Sequence, residues 1–231
     1  MKGFPWRPRL LVLMLCAPGF LIPLAGTALS RSYAQSETQG PQITVNRIAV
    51  VPLVKGRYGT SVSETLDVPL FQLSPDTEGL DEDSDRILTE YVFQEVQRIH
   101  GSRVIPLDTS VGAYFRAPKD ELTDTMRTLA RKTGEALRAD LVMTGFVWRY
   151  KNRVGGDRAA SSPASVGFDL ILIHTADGKM LWTERFKETQ RALSENILNA
   201  KTFLDRGGKW VTAEELAKEG LREIFKKYPY R

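Results

Sequence analysis

The chain has 231 residues, 42% of them hydrophobic and 26% charged, with a formal net charge of +4. One cysteine and two histidines exclude a disulfide framework and a cysteine- or histidine-rich metal site. The positive charge is no sign of nucleic-acid binding. Residues 1–34 hold Lys2, Arg7, Arg9 and Arg31 and no acid, so the rest of the chain is balanced and lacks the concentrated basic surface that phosphates require.

The chain starts "MKGFPWRPR", which is basic, and continues in an apolar run from Leu10 to about Leu29. Small residues follow in "SRSYAQSE". That order is the layout of a secretory signal peptide, with cleavage expected after Ala34 and Ser30 as the alternative. A spanning helix needs ~20 apolar residues with few breakers, and here Pro18, Gly19, Pro23 and Gly26 interrupt the run. Cys16 is preceded by Leu15 and sits early in that run. A lipid-anchor cysteine would follow a small residue at its end, so Cys16 reads as a passenger discarded with the signal.

Residues 35–46, beginning "QSETQGPQ", read as a disordered leader. "RIAVVPLV" (47–54) has the continuous apolar character of a strand buried on both faces, ending or bulging near Pro52. No firm element is expected over 55–83, although "VPLFQL" suits a short strand. From Asp83 to Ile99, Leu88, Val92, Val96 and Ile99 recur at helical spacing, and Asp81, Glu82, Asp83 and Asp85 favour the helix N-terminus. "SRVIPL" (102–107) predicts a strand, and Pro118–Leu137 a helix with Leu122, Met126, Leu129, Thr133 and Leu137 on one face. "ADLVMTGFVWRYK" (139–151) is the strongest strand, with Val142, Phe146, Trp148 and Tyr150 on one side by alternation. Residues 152–163 read as a loop, and 164–188 as two strands joined through "ADGK", with Gly178 at the turn. Met180, Trp182 and Phe186 share a side of the second strand and read as core. A short helix is expected over 193–208. A final helix carries a Thr212–Glu215 capping box and a Val211–Leu216 staple.

These elements predict an α/β fold: a mixed four- to five-stranded sheet flanked by helices. The α/β domain would span 47–190, with a helical C-terminal extension over 191–231 packing on it.

Catalytic patterns are missing. His100 ends a helix before Gly101, a capping or solvated place, and His174 ends a strand; no HExxH or paired-histidine spacing occurs. No GxSxG, Walker or GxGxxG pattern is present. "DTEGLDEDSD" fails the EF-hand frame, because the sixth position from Asp81 is Arg86 and the twelfth Val92. "KGRYG" and "RGGKW" read as turns, and Lys55, Arg57 and Tyr58 are the residues expected to touch a partner.

"ALRADLVMTGFVWRY", "VGFDLILIHTADGKMLW" and "RIAVVPL" resemble the periplasmic α/β domain shared by CsgG-type curli-secretion lipoproteins, LpoB-type activators of penicillin-binding proteins and the N-terminal domain of TolB. The likeness covers about residues 47–188. It implies an exported, non-enzymatic protein that works through partners in a double-membraned envelope, and it carries no catalytic residue to transfer. The chain departs from the pattern in its missing anchor cysteine. Its loops at 55–83 and 152–163 also do not suit a membrane pore, which needs ~10 alternating residues per strand.

The expectation is therefore a periplasmic adaptor with an envelope protein partner, peripheral association with the outer membrane or peptidoglycan, and no metal, cofactor or nucleic acid. Two other readings stay open at this point: a periplasmic hydrolase built on His174, and a subunit of an outer-membrane secretion assembly.

Overall fold

Seven strands and five helices are seen in a computed structural model that describes residues 43–56, 61–73, 79–157, 160–190 and 209–231. The strands are β1 (Ile48–Val50), β2 (Val54–Lys55), β3 (Leu141–Lys151), β4 (Val154–Gly155), β5 (Ala160–Ser162), β6 (Ser165–His174) and β7 (Met180–Thr189). The helices are α1 (Val62–Asp67), α2 (Ser84–His100), α3 (Leu107–Arg116), α4 (Met126–Leu137) and α5 (Ala213–Lys226). None of the described helices is long and apolar enough to cross a membrane.

The main sheet is mixed. Strands β1 and β2 both run parallel to β3 along one side of it, while β3, β6 and β7 form an antiparallel meander. Strands β4 and β5 form a small separate hairpin within the expected 152–163 loop.

Alternation along β1 sorts two cores. Ile48 and Val50 join Leu88, Val92, Phe168, Leu170 and Phe225 beneath α2 and α5. Ala49 and Val51 join Met126, Leu129, Phe146 and Ile171 beneath α4. Both faces of β3 and β6 are thus covered, which is why these strands read as unbroken apolar runs. Each fully buried large side chain, such as Phe168, contributes roughly 1.5–3 kcal/mol.

Pro52 does what a proline in a strand must: it breaks the ladder. Val50 lies opposite Met143 and Val54 opposite Phe146, so the β1–β2 link carries one residue more than β3 beside it. The polar groups of the link are met by side chains. Thr144 donates its hydroxyl to the Pro52 carbonyl at 3.2 Å. The Leu53 N–H donates to Thr89 Oγ1 at 2.9 Å, and that hydroxyl donates in turn to the Asp85 carbonyl.

Asp140, the acid of the "AD" motif, accepts from the backbone N–H groups of Asn46 and Arg47 at 2.8 and 2.9 Å and so aims the chain into β1. Gly145 is required by close approach. A Cβ there would lie 2.0 Å from the Asp169 carbonyl oxygen across the β3–β6 pair.

Several expectations are corrected. Residues 102–107 form no strand: a 3-10 turn over Gly101–Arg103 brings only Val104 alongside Ile48, and Pro106 then opens helix α3. Helix α4 starts after Thr125, whose hydroxyl and that of Thr128 cap each other's backbone, so Leu122 lies outside the helix and is exposed. The "VPLFQL" stretch forms a 3-10 turn over Leu70–Gln72, with only an isolated bridge from Pro69 to Thr125, instead of a strand, and α1 occupies part of the expected loop.

Bulges move two side chains. The register shift at Trp148 places Tyr150 in the core under α2 and α5, while Val142 and Phe146 stay on the other face. A second shift, opposite Leu172 and Ile173, turns Met180 away from Trp182 and Phe186. The expected 193–208 helix, the signal segment and Cys16 lie outside the described residues.

Helix α5 shows the reciprocal Thr212–Glu215 capping box, and Val211 and Leu216 are buried in one cluster. The Gln190 side chain ties the end of β7 to its approach, accepting from Val211 N–H and donating to the Lys209 carbonyl, both at 2.8 Å.

Candidate functional site

An apolar groove of about 500 Å3 lies at the β1 edge of the sheet, between α2 and α3. Its floor is the half-buried Pro52, with the buried Leu53 beneath it, where the chain bulges instead of continuing as a paired strand. Leu107, Val111 and Phe115 line the α3 wall at positions i, i+4 and i+8, one face of that helix. Thr89 forms the base of the α2 wall.

Charge at the rim is lopsided. Asp85 pairs with Lys55 at 3.7 Å, and the Lys55 ammonium also donates to the Glu82 carbonyl. Arg86 pairs with Asp83 at 3.4 Å. Glu90 on α2 and Asp108 on α3 have no basic partner among the described residues. Asp108 lies in the first turn of its helix, where the dipole offsets part of its charge.

Large apolar side chains are exposed outside the groove as well. Phe71, Phe115 and Leu122 are 53%, 65% and 69% exposed, and among the described residues only Val154 is a further exposed large hydrophobic. Phe115 is near the end of α3 and Leu122 in the α3–α4 connection, and the Phe71 segment is tied to that connection, because the Phe71 N–H donates to the Glu121 carbonyl and Leu70 N–H to that of Asp124.

That connection is rigid. The buried Asp124 carboxylate accepts from Asp120 N–H at 2.8 Å, Thr128 hydroxyl at 3.1 Å and the Lys132 ammonium at 2.8 Å. The Asp120 N–H, first, and the Lys132 ammonium hold its pKa below the usual carboxylate value. Exposed apolar side chains on a pinned scaffold lose little further freedom on binding.

Of the residues expected to touch a partner, Lys55 borders this groove through Asp85, while Arg57 and Tyr58 lie outside the described residues. The histidines are elsewhere. His174 Nδ1 bonds Asp177 Oδ1 at 2.8 Å within the β6–β7 turn, where Gly178 takes φ +70° and the same carboxylate accepts from Lys179 N–H. His100, expected to cap or be solvated, is a buried structural histidine. It is 3% exposed, its Nε2 lies 3.0 Å from the Tyr228 hydroxyl, and burial, with Arg103 nearby, pushes its pKa down to about 4. Among the described residues, no group of three metal-ligating side chains comes together.

The signal for the groove was present in the sequence but divided. Leu107, Val111 and Tyr114 repeat at helical spacing after Pro106, yet "VIPL" reads as strand and Gly112 interrupts the helical pattern.

No family model matches the chain, and no curated protein does. Solved structures share its backbone course loosely. A PelC dodecamer from Paraburkholderia phytofirmans is 14% identical, with 84% of this chain and 96% of that chain covered and a TM-score of 0.48. The lipoprotein GNA1162 from Neisseria meningitidis is 14% identical over 71% of this chain and 95% of that one, with a TM-score of 0.40. The LpoB C-terminal domain from Salmonella enterica is 12% identical over 66% and 89%, with a TM-score of 0.39.

Proposed function

We propose that this chain is an exported, non-enzymatic accessory protein of the cell envelope that holds a protein partner in the groove between α2 and α3. Residues 1–34 supply the export signal, with cleavage after Ala34. The resemblance over residues 47–188 supplies the expectation of an envelope adaptor. The observation that carries the docking role is the exposure of Phe115 on the groove wall, with Phe71 and Leu122 also exposed at the hydrogen-bonded connection that follows α3. Exposed apolar surface of this kind marks an interaction site. Lys55, Arg57 and Tyr58 would contribute from the adjoining loop.

The test uses a benzoylphenylalanine crosslinker at position 115 in living cells, with the same group at Glu223 on α5 as control. A discrete adduct in the envelope fraction, formed from position 115 and not from 223, is expected. No adduct from 115, or a cytosolic location of the unprocessed chain, would remove the reading.

A further inference from the structure

The chemistry of the groove also says what its occupant carries. We propose that the partner enters with an apolar anchor side chain flanked by lysine or arginine; this deepens the reading above and rests on it.

The cavity is the size of pockets that enclose a small molecule or a few side chains. Phe115 on its wall is largely exposed, and Leu122 and Phe71 are exposed at the connection that follows α3, so a polypeptide segment suits it better than one small molecule. An apolar anchor fills the space over Pro52, Leu107 and Val111.

Charge then selects the flanks. Among the described residues Lys55 offsets Asp85, Asp83 offsets Arg86, and Lys119 lies over the Phe115 ring at 5.2 Å, which leaves Glu90 and Asp108, one on each helical wall, as the lining carboxylates without an ion pair. Bases on either side of the anchor meet a carboxylate on each wall. An acidic segment meets two like charges beside an apolar cavity, which raises the cost of its entry. At a solvated rim such a preference is screened by salt.

Three fluorescein-labelled amphipathic peptides test this against the purified full-length protein. All share the same leucine and tryptophan positions, with lysine, glutamine or glutamate at every other site. Fluorescence anisotropy should show the lysine peptide binding at least about tenfold more tightly than the glutamate one, with the gap shrinking as salt rises. The double variant Glu90→Gln/Asp108→Asn should weaken the lysine peptide roughly tenfold and leave the glutamine peptide unchanged. Phe115→Ser should weaken both, and Glu223→Gln on α5 neither. Both exposed carboxylates are replaced by isosteres, and a thermal melt confirms that the variants fold. Equal binding of lysine and glutamate peptides, or the same loss from Glu223→Gln as from the double variant, would overturn the charge assignment. If the position-115 adduct nevertheless forms in cells, the groove reading survives and the basic partner falls. If that adduct is missing while the lysine preference holds, the envelope role falls instead.

Discussion

Two glycines inside helices make opposite predictions. Gly220 lies in α5 with the Phe186 ring of β7 against it. A Cβ added there would sit 2.5–2.6 Å from three ring carbons. Alanine gains ~1 kcal/mol over glycine in helix propensity. The ring, however, must retreat by about an ångström to reach ordinary contact, and behind it stands Phe168 at a centroid distance of 5.4 Å, fully buried. Overpacking of this kind costs ~1–3 kcal/mol, so Gly220→Ala should lose about 1 kcal/mol net.

Gly112 in α3 is the contrast. A Cβ there meets only the guanidinium end of Arg116, at 3.1 Å, and that flexible tip moves aside. Gly112→Ala should therefore gain up to ~1 kcal/mol. Urea unfolding followed by tryptophan fluorescence and by circular dichroism measures both variants. Phe186→Leu should relieve Gly220→Ala, so that the double variant is more stable than the two single losses together imply. If Gly220→Ala stabilises as much as Gly112→Ala, the seating of α5 on Phe186 is wrong.

Two further outcomes are expected. Thr89→Val leaves the buried Leu53 N–H without its acceptor and should cost ~1–3 kcal/mol in a urea titration, whereas Thr89→Ser keeps the bond and most of the stability. His100 is neutral in the folded chain, because its pKa is lowered from 6.5 to about 4. The unfolded chain takes up the proton first, so this histidine's contribution is complete above pH 6.5 and declines as the pH falls to 4, by about 3 kcal/mol at most. A His100→Gln variant should lack that part of the acid loss. Parallel pH profiles for the two proteins would contradict this.

The legible parts of the fold are those where period and local chemistry agree. In β3 and β6 the apolar runs are long, and the "ADGK" turn into β7 carries its glycine at φ +70°. The Thr212–Glu215 box marks α5 to the residue. What could not be read depends on tertiary contacts. The bulge at Trp148 follows from its cross-strand partners, and a single-strand alternation pattern has no access to it. Pro118 suits the start of a helix, but the reciprocal Thr125–Thr128 cap and the Asp124–Lys132 pair start α4 at Met126 instead. The groove was least legible, since it needs α3 to exist and Leu107, Val111 and Phe115 to face Pro52. His100 looks like a solvated helix end until Tyr228, far along the chain, is brought against it.

The position of the groove at a sheet edge bears on how a partner is held. An uncovered edge strand invites a further strand, because its backbone N–H and carbonyl groups lack partners. Here the β1 edge is already occupied. Val104 bridges Ile48, whose carbonyl accepts from Ile105 N–H at 2.9 Å, and Thr89 meets the Leu53 N–H. A strand added beside Leu53 would have to displace the Thr89 hydroxyl and would gain only a bond already made. Recognition in the groove therefore falls to side chains: burial against Pro52, Val111 and Phe115, and charge against Glu90 and Asp108. Pro52, the residue that halts the ladder in the sequence, is thus also the one that exposes an apolar floor without leaving an open backbone edge.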